Sequence, residues 1–171
     1  IKEISKLLKM TESQTVVHLV KEDNQCCMVA KGMCENDVRL ILKNRLSMVS
    51  SDNLATPINR GMPHPRGYRA FTKVLCNYAR DERLLTLEEA IYKMTYFPAW
   101  KLGLKDRGLI KENFIADLAI FDYDNLKYTS MYGDSHHYSE GMKHVIVNGK
   151  FVILEGKLTK NNPGELIKKN K

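Results

Sequence analysis

No apolar run in this 171-residue chain approaches the length of a membrane-spanning helix, so a helical membrane protein is excluded and no membrane partner is expected. The opening IKEISKLLKM is not a basic stretch followed by an apolar one, and no secretory leader is read there. An initiator methionine is also missing. Ile1 leads to the expectation that the chain has been processed, trimmed or cut from something larger. The four cysteines, 26, 27, 34 and 76, lack the short paired spacing of a structural zinc site. Adjacent Cys26 and Cys27 would make a strained bridge, so free thiols in a reducing cytoplasm are expected. His-x-His pairs, internal repeats and low-complexity tracts are absent as well.

What is present is ordinary for one globular domain or two small ones: 43% hydrophobic and 27% charged residues. The net charge of +7 raises nucleic acid as a partner, because lysine and arginine neutralise phosphates. The lysines are scattered, however, and KKNK at 168–171 reads as a solvated end. With no RNA-recognition or helix-turn-helix signature, no nucleic-acid partner is expected.

Ile1, Ile4, Leu7 and Leu8 share one face of a first helix. TVVHLV (15–20) is short and β-branched and reads as a strand, with His18 a packed core residue within it. ENDVRLILKN (35–44) reads as a helix with acidic residues in its first turn, and LSMVS (46–50) as another strand. Helix, strand, helix, strand implies parallel strands joined by crossovers. YRAFTKVLCNYARDE (68–82) carries Phe71, Val74, Leu75 and Tyr78 at helical spacing, as core. TLEEAIYKM (86–94) opens with a capping box, Thr86 and Glu89. Pro98 suits the first turn of a short helix that Gly103 closes. Beyond about residue 108 the pattern turns to β. FIADLAIFD (114–122) is a strand run, and Asn148-Gly149 within KHVIVNGKFVILEGK marks a hairpin with a type I′ turn.

Asp52 lies two residues past LSMVS, at the strand end where α/β folds collect function. A carboxylate there can ligate a metal or take a proton from metal-bound water. Ser-Asp-Asn is equally good turn or capping chemistry, and spacing alone leaves both readings open. A proline-framed loop, MPHPR (62–66), then delivers His64 and Arg66.

From about Val16 to Gly164 the chain resembles the C-terminal part of the amidohydrolase superfamily, and within it the D-aminoacylases (N-acyl-D-amino-acid deacylases). The matching landmarks are VRLILKNRLSMVSSDN, PHPRGYRAFTKVL, LLTLEEAIYKMTYFPAWKLGLKDRGLI, ADLAIFD and EGMKHVIVNGKFVILEGKLT, with Pro163-Gly164 after the last. MTYFPAWKLGLKDRGLIKENFIADLAIFD carries the superfamily likeness, and PHPR after the aspartate points to the deacylases.

The resemblance implies an α/β fold: the C-terminal portion of a (β/α)8 metal-dependent-hydrolase barrel plus part of a small β-sandwich domain. Residues 1–112 would then be the barrel's last strands and helices, with TVVHLV the seventh strand and LSMVS the eighth. Residues 113–171 would be the C-terminal share of the sandwich. The implied activity is hydrolysis of N-acyl-D-amino acids to a carboxylate and a free D-amino acid, in the cytoplasm. Asp52 would be catalytic, activating the water and protonating the leaving amine, and would also be a metal ligand. Arg66 would grip the substrate α-carboxylate and His64 would shape that loop.

The chain departs from the family pattern in places. Ser50 and Asn53 stand where the family has glycines around its Ser-Asp pair, and Asn113 replaces the glycine before Phe114. His136-His137 lie in a stretch matching the family's Asp-x-His-x-Tyr. Adjacent side chains on a strand point to opposite faces, so surface or packing roles are expected for them. The family's zinc ligands from earlier strands are missing. The implied zinc therefore belongs to the full-length enzyme, none should bind tightly to this chain, and the chain alone should be inactive. Unclosed barrel strands would leave open edges, so a homo-oligomer or edge-to-edge association is expected. The alternatives are another amidohydrolase (dihydroorotase-like or dipeptidase-like) and a non-catalytic binding or structural module.

Overall fold

The computed structural model describes residues 1–24, 32–54, 58 and 60–168. Cys26 and Cys27 lie outside the described residues; Cys34 and Cys76 are free thiols. The chain forms two compact units, residues 1–32 and 33–171.

The first unit is a helical pair, α1 (Lys2–Leu8) and α2 (Glu12–Glu22), packed on one another. The side chains buried in it are the small Ser5 and Thr15, whereas Leu7, Val16, Val17 and Val20 are exposed. The expected strand at TVVHLV is therefore corrected to a helix, and His18 is half-buried within α2. The reason lies just ahead of it. Thr11 Oγ1 accepts the Gln14 N–H at 3.2 Å, and Gln14 Oε1 accepts the Thr11 N–H at 3.0 Å. That capping box starts a helix whose backbone satisfies itself, and the β-branched residues weaken it by only a few tenths of a kcal/mol each.

The second unit begins with α3 (Glu35–Lys43), acidic in its first turn as expected. LSMVS then runs without regular structure, a second correction. Its polar backbone is satisfied from a helix instead of a neighbouring strand. Lys93 Nζ donates to Asn44 O (2.6 Å) and Ser47 O (3.1 Å), and the Val49 N–H donates to Lys93 O (3.2 Å). With both strands gone, the expected parallel pairing is overturned. Every strand pair among the described residues is antiparallel.

Helix α4 (Arg66–Lys73) passes directly into a π-helical segment, Val74–Asp81. Its wider turn shifts the buried face. Val74, Leu75, Cys76, Tyr78 and Ala79 are buried, whereas Phe71, expected in the core, is 44% exposed. Helix α5 (Leu87–Met94) starts at the expected capping box, with both bonds made. Helix α6 (Tyr96–Leu102) carries Pro98 in its first turn and ends at Gly103 (φ 76°). Asn113 adopts φ 64°, a left-handed backbone suited to the glycine it replaces in the resemblance.

A four-stranded meander follows: β1 (Leu118–Phe121), β2 (Met142–Val147), β3 (Lys150–Leu154) and β4 (Lys157–Leu158), in that spatial order. Asn148 (φ 46°) and Gly149 (φ 74°) make the expected I′ turn between β2 and β3. The core joins the π segment to Leu85, Ala90 and Leu126, with Val38, Leu42 and Val49 packed against it. Arg80 Nη1 donates to Tyr123 O and Leu126 O (3.0 and 2.7 Å), fastening the chain after β1 to the helical layer. No helix among the described residues is long and apolar enough to cross a membrane.

Candidate functional site

Two stretches converge in the second unit. The first, Ser50–Leu54, lines an open depression of about 280 Å³. Asp52 sits in it with φ 47°, in the left-handed region that Asp enters more readily than most residues. That turn carries its side chain outward, 85% exposed. The second is the proline-framed loop. Pro65 is fully buried and serves as the N-cap residue of α4, so Arg66 opens the helix. Two prolines limit the loop's freedom and lower the entropy cost of holding Arg66.

Asp52 Oδ2 and Arg66 Nη1 meet at 3.0 Å. Exposed pairs of this kind contribute little to stability, so the contact chiefly records a position. The next residue reinforces it. A Cβ on Gly67 would fall 2.3 Å from Asn53 Nδ2, so the side chain following Asp52 rests against the first turn of α4.

His64 Nδ1 accepts the Arg66 backbone N–H at 3.1 Å, satisfying one of the open N–H groups at the helix start. Its Nε2 meets Tyr132 Oη at 3.1 Å. Burial pushes the His64 pKa down, and the Arg66 and Arg69 guanidiniums push it the same way. The ring is held neutral. His136 and His137 diverge, as adjacent side chains should. His136 Nε2 lies 2.8 Å from Gly61 O, and His137 Nε2 lies 2.7 Å from Asp134 Oδ1.

The structure thus brings Asp52, His64 and Arg66 together, and adds Tyr132, His136 and Lys93, which the sequence reasoning did not select. The Asp-x-His-x-Tyr likeness was the available signal for His136. Nothing local marked the other two, whose partners lie far off along the chain.

Among the described residues no group of three or more His, Cys, Asp or Glu side chains could hold an ion. The Asp52 carboxylate is met by a guanidinium instead. These residues do not by themselves make a zinc site, which takes three protein ligands in catalytic centres.

Residues 19–153 match the Amidohydrolase family. The N-acyl-D-glutamate deacylase of Alcaligenes xylosoxydans xylosoxydans is 38% identical over 139 residues, covering 81% of this chain and 28% of the relative. A crystal structure of D-aminoacylase, 35% identical, superposes with a TM-score of 0.70 over 75% of this chain and 27% of its own. The N-acyl-D-glutamate deacylase of Bordetella bronchiseptica was solved with zinc and a phosphonate mimic of the tetrahedral intermediate. It is 38% identical, with a TM-score of 0.65 over 70% of this chain and 25% of its own. The chain therefore spans little more than a quarter of the length of these relatives. These neighbours agree with the α/β barrel-hydrolase class expected from the sequence. Matched over most of its length and superposable on solved deacylases, this chain belongs to the amidohydrolase family.

Proposed function

We propose that this chain is the C-terminal segment of a metal-dependent deacylase that hydrolyses N-acyl-D-amino acids to a carboxylate and a free D-amino acid. The observation that carries the reading is the convergence of Asp52 and Arg66, at 3.0 Å, in a chain similar to N-acyl-D-amino-acid deacylases. In this reading residues 1–112 contribute to the barrel and 113–171 to the β-sandwich. Zinc is held by residues the described chain does not supply, and the chain alone is inactive. The working location is the cytoplasm.

Asp52 and Arg66 divide the work. Arg66 takes the substrate α-carboxylate in parallel hydrogen bonds, a geometry that a planar guanidinium favours. The incoming carboxylate replaces that of Asp52 at the guanidinium and frees Asp52. Asp52 then takes a proton from the attacking water and returns it to the amide nitrogen as the C–N bond breaks. His64 holds the Arg66 loop. Isolated copies associate, through the outer edges of β1 and β4 or through exposed side chains such as Leu40, Leu46, Leu54 and Ile110.

The test is Asp52→Asn in the full-length enzyme, which keeps the side-chain shape and removes the base. Deacylase activity should fall by about 10²–10⁴-fold with the fold intact. Activity within about threefold of wild type would show that Asp52 is a turn residue.

A further inference from the structure

Residues 127–140 form an arm between β1 and β2. Its base is closed by paired backbone bonds between Lys127 and Glu140 (3.1 and 2.9 Å), and its tip by a pair between Met131 and Asp134 (2.9 and 3.2 Å). Inside it, buried Ser130 Oγ donates to Ser135 O at 2.7 Å. The arm is built, not slack.

It is also fastened to α4 and to the loop ahead of that helix. Arg69 Nη1 donates to Ser130 O at 2.7 Å, and Thr72 Oγ1 and Ser139 Oγ share a bond at 2.7 Å. His136 reaches Gly61 O at 2.8 Å, and Tyr132 reaches His64 at 3.1 Å with the two rings edge-on.

The His64 contacts assign its protons. A backbone N–H can only donate, so Nδ1 facing the Arg66 amide carries no hydrogen. In the neutral ring the proton is then on Nε2, which donates to the Tyr132 hydroxyl oxygen. One imidazole links the arm to the first backbone N–H of α4, where Arg66 begins.

We propose that Tyr132 is a positioning residue for Arg66, acting through His64, so that the arm between β1 and β2 sets the direction of the carboxylate-binding guanidinium. This rests on the reading of Arg66 given above. The groups facing His64 fit the assignment. Arg66 and Arg69 are cationic and disfavour a second proton on the ring, Tyr132 offers a hydroxyl, and Asp52 lies beyond Arg66 as its ion-pair partner. Protonation would place an N–H on Nδ1, against the Arg66 N–H, and break the link.

The experiment uses the 171-residue chain, labelled with ¹⁵N, and its Tyr132→Phe variant. Phenylalanine keeps the ring contacts to His64 and Arg69 and removes only the hydroxyl, at a half-exposed position. In wild type, His64 should show the Nε2–H tautomer at neutral pH. In the variant, the His64 signals should move toward a tautomer mixture. The Arg66 amide should exchange about fivefold faster, the size expected for one lost hydrogen bond, while the Lys127 and Glu140 amides keep their rates.

A wild-type proton on Nδ1, or unchanged His64 and Arg66 signals in the variant, overturns the proposal. Equal quickening at Lys127 and Glu140 also overturns it, because the hydroxyl would then hold the arm as a whole. The Arg66 side-chain signal is followed separately with N-acetyl-D-glutamate and its α-amide. A preference for the free carboxylate that weakens in the variant supports the proposal. No preference, with the tautomer pattern as expected, overturns the carboxylate role of Arg66 and leaves the His64–Tyr132 link supported.

Discussion

Replacing Lys93 with methionine should loosen the segment that carries Asp52. Lys93 is 5% exposed, and its ammonium donates to Asn44 O, Ser47 O and Ser47 Oγ at 2.6, 3.1 and 3.0 Å. All three acceptors are neutral, and burial pushes the Lys93 pKa down, with Glu89 opposing weakly. Methionine fills a similar volume and avoids the cost of burying a charge, which offsets part of the loss. The acceptors are not equally harmed. Asn44 O still receives the Ser47 N–H and Oγ, at 3.1 and 2.8 Å, whereas Ser47 O loses the donor it has in Lys93. Ser47 is half-buried, so its stranded acceptor costs toward the low end of the range for a buried one, about 1 kcal/mol. For a chain of this size that is a fall in Tm of about 2–4 °C. Calorimetry or a circular dichroism melt reads it, and exchange at the Val49 amide, which donates to Lys93 O, should quicken locally. The pH dependence carries a sign. With the folded pKa below the ordinary 10.5, the unfolded chain binds more protons across that interval, so this group's contribution rises with pH there. Wild type should show that rise and Lys93→Met should not. A variant Tm within about one degree of wild type would refute the anchoring argument.

Arg66→Lys in the full-length enzyme should weaken substrates with a free α-carboxylate, because lysine lacks the planar fork, and should spare their amides. Equal losses on both, read as KM, would make Arg66 structural. Glu82 accepts both Arg39 bonds (2.9 and 3.0 Å) and one from Asn77 (2.9 Å), and the Arg39 bond chiefly holds its carboxyl below the ordinary 4.5. Its stabilising effect is present above 4.5 and lost as pH falls through the lowered value, so Tm curves for wild type and Glu82→Gln should converge in acid. Parallel curves throughout would refute the pairing. Sedimentation at micromolar concentration should show association of the isolated chain. A compact monomer would argue against exposed edges and side chains as contact surfaces.

Legibility divides by how far each signal reaches along the chain. The Asn148-Gly149 turn, the Thr86–Glu89 capping box and the Gly103 stop were read correctly because each is decided within a few residues. The residue types at Asp52, His64 and Arg66 were equally visible, and the structure does bring them together. The partners that hold them were not visible. Tyr132 and Lys93 act across long sequence separations, and neither stands in a pattern that names its partner.

The two misread strands follow from the same limit, in a stronger form. A strand is completed by a neighbour's backbone, whereas a helix closes its own bonds. TVVHLV has β-branched residues and no strand pairing within its unit, so the local Thr11–Gln14 box decides its form. LSMVS draws its partners from Lys93 and stays irregular, yet it still delivers Asp52 to Arg66. β1 through β4 succeed where these fail because each has its neighbour within the same stretch, joined in part by turns that sequence chemistry specifies. The segment that leads to Asp52 is therefore anchored over long range by one buried lysine, and Asp52 itself by Arg66. Caps, stops and the hairpin turn can be read from local pattern, but the site geometry has to be read from the contacts that span the chain.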